Sequence, residues 1–377
     1  MYNDVQLLPW LDAVREAAGG FELFDAHVHF GISDPSGLLA TEEEALEALA
    51  LIDSGGLLFP LKEPDGYRGP NERALALARD SDGRIAALAR LDPADDPTGE
   101  ARRCLDAGAA GIKLHPRGEG FELADPRLDG ALALADERRA IVMLHAGHGF
   151  DGLGRQALDR ARDHPGARFV LAHCAISDLS WIHEPAAELP NVFFDTSWWN
   201  PSDLYALFRL VPPSRILYAS DVPFASPVQS AVTTARIALE AGLDERQMRS
   251  VMGGQLARLA AAEEPLDVGS MEGEARPLPV LLERVYVMLI AAVEGLLRGE
   301  DAGQGLELAR NGCKVADDHE LEPILAAIDD LLEHSEQTED RDPLRHGRAP
   351  GYDLVLTAAI AARTPSVPVP VARTASA

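Results

Sequence analysis

The stretch ELFDAHVHF, residues 22–30, opens the series that decides the architecture. It is apolar on both alternating faces, as a strand covered on both sides must be, and it ends in His27-Val-His29. Seven more short apolar runs follow between turn residues: SGGLLFPL (54–61), RIAALARL (84–91), AGIKLHP (110–116), AIVMLHAG (140–147), RFVLAHC (168–174), NVFFDTS (191–197) and RILYASD (215–221). The segments between them carry helical signals. Thr41 and Glu44 have capping-box spacing ahead of an Ala/Leu-rich amphipathic run, and Asn71–Asp80 and Asp129–Arg139 read as helices too. Eight strand–helix units in about 240 residues suit an α/β chain closed into a (β/α)8 TIM-like barrel better than an open sheet.

Composition agrees with a large core and excludes several function classes. Of 377 residues, 46% are hydrophobic and 25% charged, which is ordinary for a globular protein. Lys+Arg 34 against Asp+Glu 61 leaves a net charge of −27. Nucleic acid is a poor partner for that charge, because binding a duplex requires a basic footprint. The same sign disfavours an anionic membrane surface. The apolar stretch Val285–Val293 is too short to span a bilayer, and no secretory leader is read at the N-terminus. Cys104, Cys174 and Cys313 form neither a disulfide framework nor a Cys-x-x-Cys knuckle, so a reducing cytoplasm is expected.

The barrel is assigned to residues 1–265. Beyond it, 266–337 reads as a helical appendage, with helices at Pro277–Arg298, Gly303–Ala316 and Leu321–Glu336 behind the acidic linker EEPLDVGSMEGEARP. Residues 338–377, polar and Pro-rich and ending RTPSVPVPVARTASA, are expected to be a mostly irregular, mobile tail that buries little surface. The amphipathic Pro277–Arg298 is read as a dimerisation or lid element, which leaves a homodimer open.

The positions of the histidines carry the chemistry. His27 and His29 share one side of the first strand. His115 follows the fourth strand, His145 ends the fifth, His173 ends the sixth and Asp221 ends the eighth. A barrel gathers all these carboxyl ends on the face where active sites of the fold are built. Several neutral imidazoles and one carboxylate converging there describe a site for Zn²⁺ or a similar divalent ion. Asp25, two residues before His27, is expected to orient a ligand imidazole. His115, Arg117 and His148, just past strands four and five, are candidates to bind an anionic or polar group of a small-molecule substrate. Trp198 and Trp199 are read as a pocket wall or as core.

The motifs DAHVHF, GIKLHP, LHAG, LAHC, FDTS and ASDVPF, then a late GGQLARL, resemble the amidohydrolase superfamily, and within it the amidohydrolase-related (amidohydrolase 2) branch of hydrolases and decarboxylases. The resemblance spans about residues 22–262; Gln255 departs from it, standing where such sequences carry Asn. It implies that His27, His29, His145 and Asp221 hold one divalent ion, Zn²⁺ first and Mn²⁺ as the alternative. The ion would activate a water as nucleophile, with Asp221 as general base and proton donor to the leaving group. His173 would polarise the substrate carbonyl or orient the water. With a second ion, His173 would become its ligand and Lys113, as a carbamate, a bridge; otherwise Lys113 is an inward lysine paired with Asp195 or Asp221, or one that binds a substrate carboxylate.

Three functions are weighed. The first is a metal-dependent hydrolase of an amide, lactone or related ester. The second is a metal-dependent non-oxidative decarboxylase of an unsaturated or aromatic acid, some of which, in that branch, replace the first His of His-x-His by Glu. His27 is kept here, which leans toward hydrolysis. The third is an inactive barrel scaffold whose helical tail recruits a partner, against which the intact ligand set argues.

Overall fold

Each of the eight apolar runs forms a strand. They are β1 (Leu23–Phe30), β2 (Ser54–Pro60), β3 (Ile85–Arg90), β4 (Gly111–Leu114), β5 (Ile141–Leu144), β6 (Arg168–Leu171), β7 (Val192–Asp195) and β8 (Ile216–Leu217). They lie in sequence order in one sheet, every neighbouring pair parallel. Closure occurs just past β8. Ala26 N–H donates to Tyr218 O at 2.9 Å, Asp221 N–H to His27 O at 2.9 Å, and His29 N–H to Val222 O at 2.9 Å. The computed structural model describes residues 4–148, 152–271, 273, 276–338 and 351–370.

Period-two alternation, broken on β1 by a bulge between Asp25 and Val28, divides the core into two layers. Ala26, Leu57, Phe59, Leu88, Ile141, Met143, Val170, Phe193 and Leu217 fill the barrel interior. The alternate residues, among them Val28, Leu58, Ile112, Val142 and Phe169, pack outward against the helices. Those helices are α1 (Asp4–Ala17), α2 (Glu42–Ala50), α3 (Arg68–Arg79), α4 (Pro97–Asp106), α5 (Pro116–Glu119), α6 (Asp129–Arg138), α7 (Leu153–Asp163), α8 (Leu179–Ala187), α9 (Pro201–Leu210), α10 (Pro227–Ala241), α11 (Glu245–Arg249) and α12 (Gln255–Ala260). The Thr41–Glu44 capping box is present at the start of α2. Gln255 is fully buried; its amide donates to Ser214 O and Leu266 O and accepts from Leu266 N–H, tying the chain leaving the barrel back onto it.

The appendage contains α13 (Val280–Leu297), α14 (Gly303–Gly312) and α15 (Glu322–Glu336), close to where the periodicity places them. On α13, Leu282, Val285, Leu289 and Val293 form the buried stripe. The expectation for residues 338–377 needs correction. Tyr352–Arg363 is a helix, α16, buried at every position from Tyr352 to Ala362 and packed against α10, α13 and α15. Its sequence YDLVLTAAIAAR is apolar all round, the pattern of a core helix, and the Pro-rich flank concealed it. Leu354, Val355, Leu356 and Ile360 are each at most 1% exposed, and each contributes about 1.5–3 kcal/mol by burial. The rest of the expected tail, 339–350 and 371–377, lies outside the described residues. No described helix is long and apolar enough to cross a membrane.

Candidate metal centre

At the carboxyl end of β1, His27 and His29 face into the barrel from alternate positions. The Nδ1–H of His27 donates to Asp195 Oδ2 at 2.9 Å, since an ionised carboxylate only accepts. On His29, Nδ1 faces the carbonyl oxygen of Pro60 at 3.4 Å and is the donor for the same reason. Burial holds both imidazoles well below the usual histidine pKa, with the charges of neighbouring Lys113 and Arg90 adding to the effect. Both rings are therefore neutral, and each Nε2 presents a lone pair. The two Nε2 atoms lie 3.1 Å apart. Asp221 Oδ1 is 3.2 Å from the first and 3.3 Å from the second. Three electron-pair donors thus converge at contact distance. A divalent cation is the group that relieves such a cluster, and two imidazoles with one carboxylate suit Zn²⁺ or Mn²⁺. Among the described residues, His27, His29 and Asp221 form the group of three donors lying within 4.8 Å of one another.

Asp195, at the end of β7, organises the centre from beneath. Besides His27, its carboxylate accepts the backbone N–H groups of His173 at 2.8 Å and Ser197 at 3.0 Å, and the Ser197 hydroxyl. The part assigned to Asp25 is corrected here. One rung deeper on β1, Asp25 Oδ1 accepts the backbone N–H of His27 and of Ser220, each at 2.9 Å, so it fixes backbone, whereas Asp195 orients the imidazole. Burial raises the Asp25 carboxyl to about 7, against the opposing hydrogen bonds from Ser220 and His27.

His173 sits at a strained turn after β6, where it, Cys174 and Ala175 take φ of 56°, 59° and 49°. Such backbone costs of order 1 kcal/mol or more per residue and recurs at functional sites. Its Nδ1–H donates to Ser197 O at 2.8 Å, its Nε2 meets His145 Nδ1 at 3.0 Å, and its Nδ1 lies 3.9 Å from Asp221 Oδ2. His145, expected as a fourth ligand, meets His173 and stands outside the three-donor group. Its ring stacks on His115, with centroids 3.9 Å apart and planes 9° apart. Gly147 faces both rings; a Cβ there would come within 3.1 Å of His173 and 3.2 Å of His145. Lys113 is fully buried, with Nζ 3.3 Å from His27 Nε2 and 4.8 Å above the Phe59 ring. Burial lowers its ammonium to about 7, although Asp195 and Asp221 pull the other way.

Above this floor opens a cavity of about 630 Å³. His29, His173 and Asp221 line it, with His145, His115, Arg117 and His148; His27 and Lys113 lie below. His115 spends Nδ1 on capping α5, accepting Gly118 N–H at 2.9 Å. Arg117 Nη1 donates to His148 O at 3.3 Å, and the His148 ring stands edge-on to Trp198. Trp198, Trp199, Phe224, Leu61 and Leu356 make the apolar wall. Sequence reasoning missed the buried pair Arg90–Glu119, 2.7 Å apart. The guanidinium of Arg90 lines the cavity, also donates to Pro60 O at 3.1 Å and lies over Tyr67, whose hydroxyl donates to Glu119. The available signal was parity, since Arg90 follows inward Leu88 on β3. No comparable signal marks Leu356.

Residues 24–255 match the Amidohydrolase family. The chain belongs to the Amidohydrolase family. Solved structures share its fold. An uncharacterised TIM-barrel protein from Bordetella bronchiseptica matches at 14% identity with a TM-score of 0.53, over 64% of this chain and 99% of its own. A 5-carboxyvanillate decarboxylase from Sphingomonas paucimobilis matches at 14% identity with a TM-score of 0.52, over 64% of this chain and 99% of its own. A comparison with curated proteins gives no match. The family match ends at residue 255, before the appendage that contains Leu356.

Proposed function

We propose that this amidohydrolase cleaves an amide, lactone or related ester bond of a small molecule at the His27–His29–Asp221 centre. The observation that carries the reading is the convergence of two Nε2 lone pairs and a carboxylate oxygen at 3.1, 3.2 and 3.3 Å. His27, His29 and Asp221 would hold a divalent ion, Zn²⁺ before Mn²⁺, with His145 the fourth candidate. When bound, the ion supplies Lewis acidity, polarising a substrate oxygen and making water a stronger acid.

The protein's own groups would do the rest. Asp221, with a side chain 15% exposed at the cavity floor, takes the proton of the attacking water and returns it to the leaving group. His173, locked by Ser197 and by Asp195, has its Nδ1–H spent on Ser197 O and offers Nε2 as an acceptor that orients the water beside Asp221; it would polarise a substrate carbonyl only when protonated. Arg117, His115 and His148 meet a polar or anionic substrate group at the rim. The retained His27 favours hydrolysis.

One observation favours a second reading, non-oxidative decarboxylation. Arg90, Arg117 and Lys62 line the same cavity; Arg90 is held by Glu119 and Lys62 by Gly118 O, which leaves Arg117 as the cation that suits a carboxylate. The 5-carboxyvanillate decarboxylase named above has the same fold.

Metal content per chain by mass spectrometry, with the intact native mass, tests the centre. About one divalent ion per chain is expected, and no carbamate-sized increment on Lys113; two ions with that increment would bring Lys113 and His173 into the ligand set. Failure to retain any ion after loading with Zn²⁺ or Mn²⁺ would overturn the enzyme reading and promote the scaffold. On the loaded protein, formation of the carboxylate product from a panel of amides, lactones and esters, followed by chromatography, supports hydrolysis. Stoichiometric CO2 release from an unsaturated or aromatic acid replaces it by the second reading.

A further inference from the structure

We propose that α16 is a fixed wall of the catalytic cavity and that Leu356 limits how long an apolar substrate group fits beyond the metal donors. The proposal rests on the metal-site reading above for what the cavity binds. Its own basis lies in the appendage.

Leu356 is among the residues around the cavity that His29, His173 and Asp221 line, and only 1% of it is accessible, so it is packed into the wall and closes the cavity on that side. Its neighbours on the helix are equally buried, and a side chain backed by packed core cannot swing aside without opening a void. The end of the segment is pinned. Fully buried Arg236 on α10 donates to Thr364 Oγ1 at 2.9 Å, Thr364 O at 3.0 Å, Val367 O at 3.1 Å and Pro368 O at 2.7 Å. Its guanidinium also lies over the Trp10 ring of α1. This arrangement describes a wall and not a lid.

Polarity then says what the wall meets. The cavity floor carries the histidines and Asp221. α10, which packs against α16, contributes Gln229 and Thr233, joined to one another: Gln229 Nε2 donates to Thr233 Oγ1 at 2.7 Å, and Thr233 Oγ1 donates to Gln229 O at 2.8 Å. With the Thr233 hydroxyl spent within α10, Leu356 gives this side its hydrocarbon surface. The barrel residues that match the family do not include this wall, so the length limit belongs to this chain.

The probe is a series of straight-chain aliphatic hydroxamates, from acetohydroxamate upward, titrated calorimetrically into Zn²⁺-loaded protein. In the wild type, affinity is expected to rise with chain length and then fall at a cut-off. Leu356→Ala should move the cut-off to longer chains, with about a tenfold gain for two added methylenes. Leu356→Trp should shorten it while leaving acetohydroxamate within about twofold. An unchanged profile in both variants overturns the proposal. A wild type that binds no hydroxamate overturns the metal reading instead, and a metal-independent measurement then decides the wall. Measured against the wild-type chain as background, Leu356→Cys, whose shorter side chain leaves a gap toward the cavity, should take up an extra methyl methanethiosulfonate label in the folded chain, whereas Ile360→Cys, at 0% exposure on the same helix, should not. Equal protection of the two variants overturns the wall.

Discussion

His27 and Asp195 stand 168 positions apart in sequence and meet at 2.9 Å, Nδ1 to Oδ2, across the barrel interior. The bond fixes the tautomer of His27 and so directs its Nε2 lone pair toward His29 and Asp221. Asp195→Asn keeps the size of the side chain and its acceptor oxygen but removes the charge. Metal affinity should fall by about 10–100-fold, the usual cost of losing a partner behind a ligand. Competition with a chromophoric chelator measures it, with circular dichroism confirming the fold. Unchanged affinity would show that Ser197 Oγ, 3.3 Å from His27 Nδ1, and packing against Phe59 suffice to orient His27.

Protonation should make the metal-free protein acid-sensitive. Burial depresses the pKa of His27, His29, His115, His145 and His173 below the ordinary 6.5. Below 6.5 the unfolded chain therefore binds more protons than the folded one, and stability is lost as pH falls. Asp25 acts in the opposite sense. Its folded pKa of about 7 lies above the ordinary carboxylate value of 3.8, so folding gains stability as pH falls through 7. Five groups oppose one, each worth about 1.4 kcal/mol per pH unit where it titrates differentially. Urea midpoints of the apo protein should drop below pH 6.5; a flat or rising profile there would contradict the neutral-histidine assignment. Lys113, lowered from 10.5 to about 7, should add stability between those values as pH rises.

Arg90→Met isolates the buried ion pair. It leaves Glu119 with a side chain 3% exposed and only the Tyr67 hydroxyl among its named partners. Removing one member of a buried pair costs about 3–5 kcal/mol, because the other charge stays desolvated. Adding Glu119→Gln should restore part of that loss. Denaturant melts of the single and double variants measure both, and two equal losses would rule out the pairing as the cause.

The barrel and the floor of its site were legible because both follow from period two. A strand buried on both faces is a continuous apolar run, and a histidine at its carboxyl end lands on the active face. Partners across the barrel were less legible. Asp25, two residues before His27, looked like its support, but a bulge in β1 breaks the alternation there and its carboxylate reaches backbone N–H groups. Asp195 takes that place only because the barrel closes, and closure is a property of all eight strands together. The α16 helix was missed for a different reason. Composition averaged over 338–377 is dominated by its Pro-rich and polar ends, which mask twelve apolar-rich residues whose burial depends on a groove formed by α10, α13 and α15.

That groove makes Arg236 the decisive position for the C-terminal segment. A guanidinium buried without contact to solvent is tolerated because its donors go to Thr364 and three carbonyl oxygens, at 2.7–3.1 Å. Met is similar in length and apolar, so Arg236→Met removes the donors without opening a large void. Val367 O then loses its partner in a buried place, at about 1–3 kcal/mol, whereas Thr364 O keeps the Val367 N–H and exposed Pro368 O turns to water. The expected loss of about 1–3 kcal/mol should appear first as detachment of α16. Arg363, whose guanidinium lies 4.3 Å from the centroid of the Tyr205 ring, provides the readout. Wild type should resist trypsin at that residue, and Arg236→Met should be cut there, as seen by intact mass, at temperatures below its melting midpoint. A variant that melts within about 1 kcal/mol of wild type and keeps Arg363 protected would mean that helix packing alone holds the segment, with burial of its Leu, Val and Ile side chains outweighing the Arg236 hydrogen bonds.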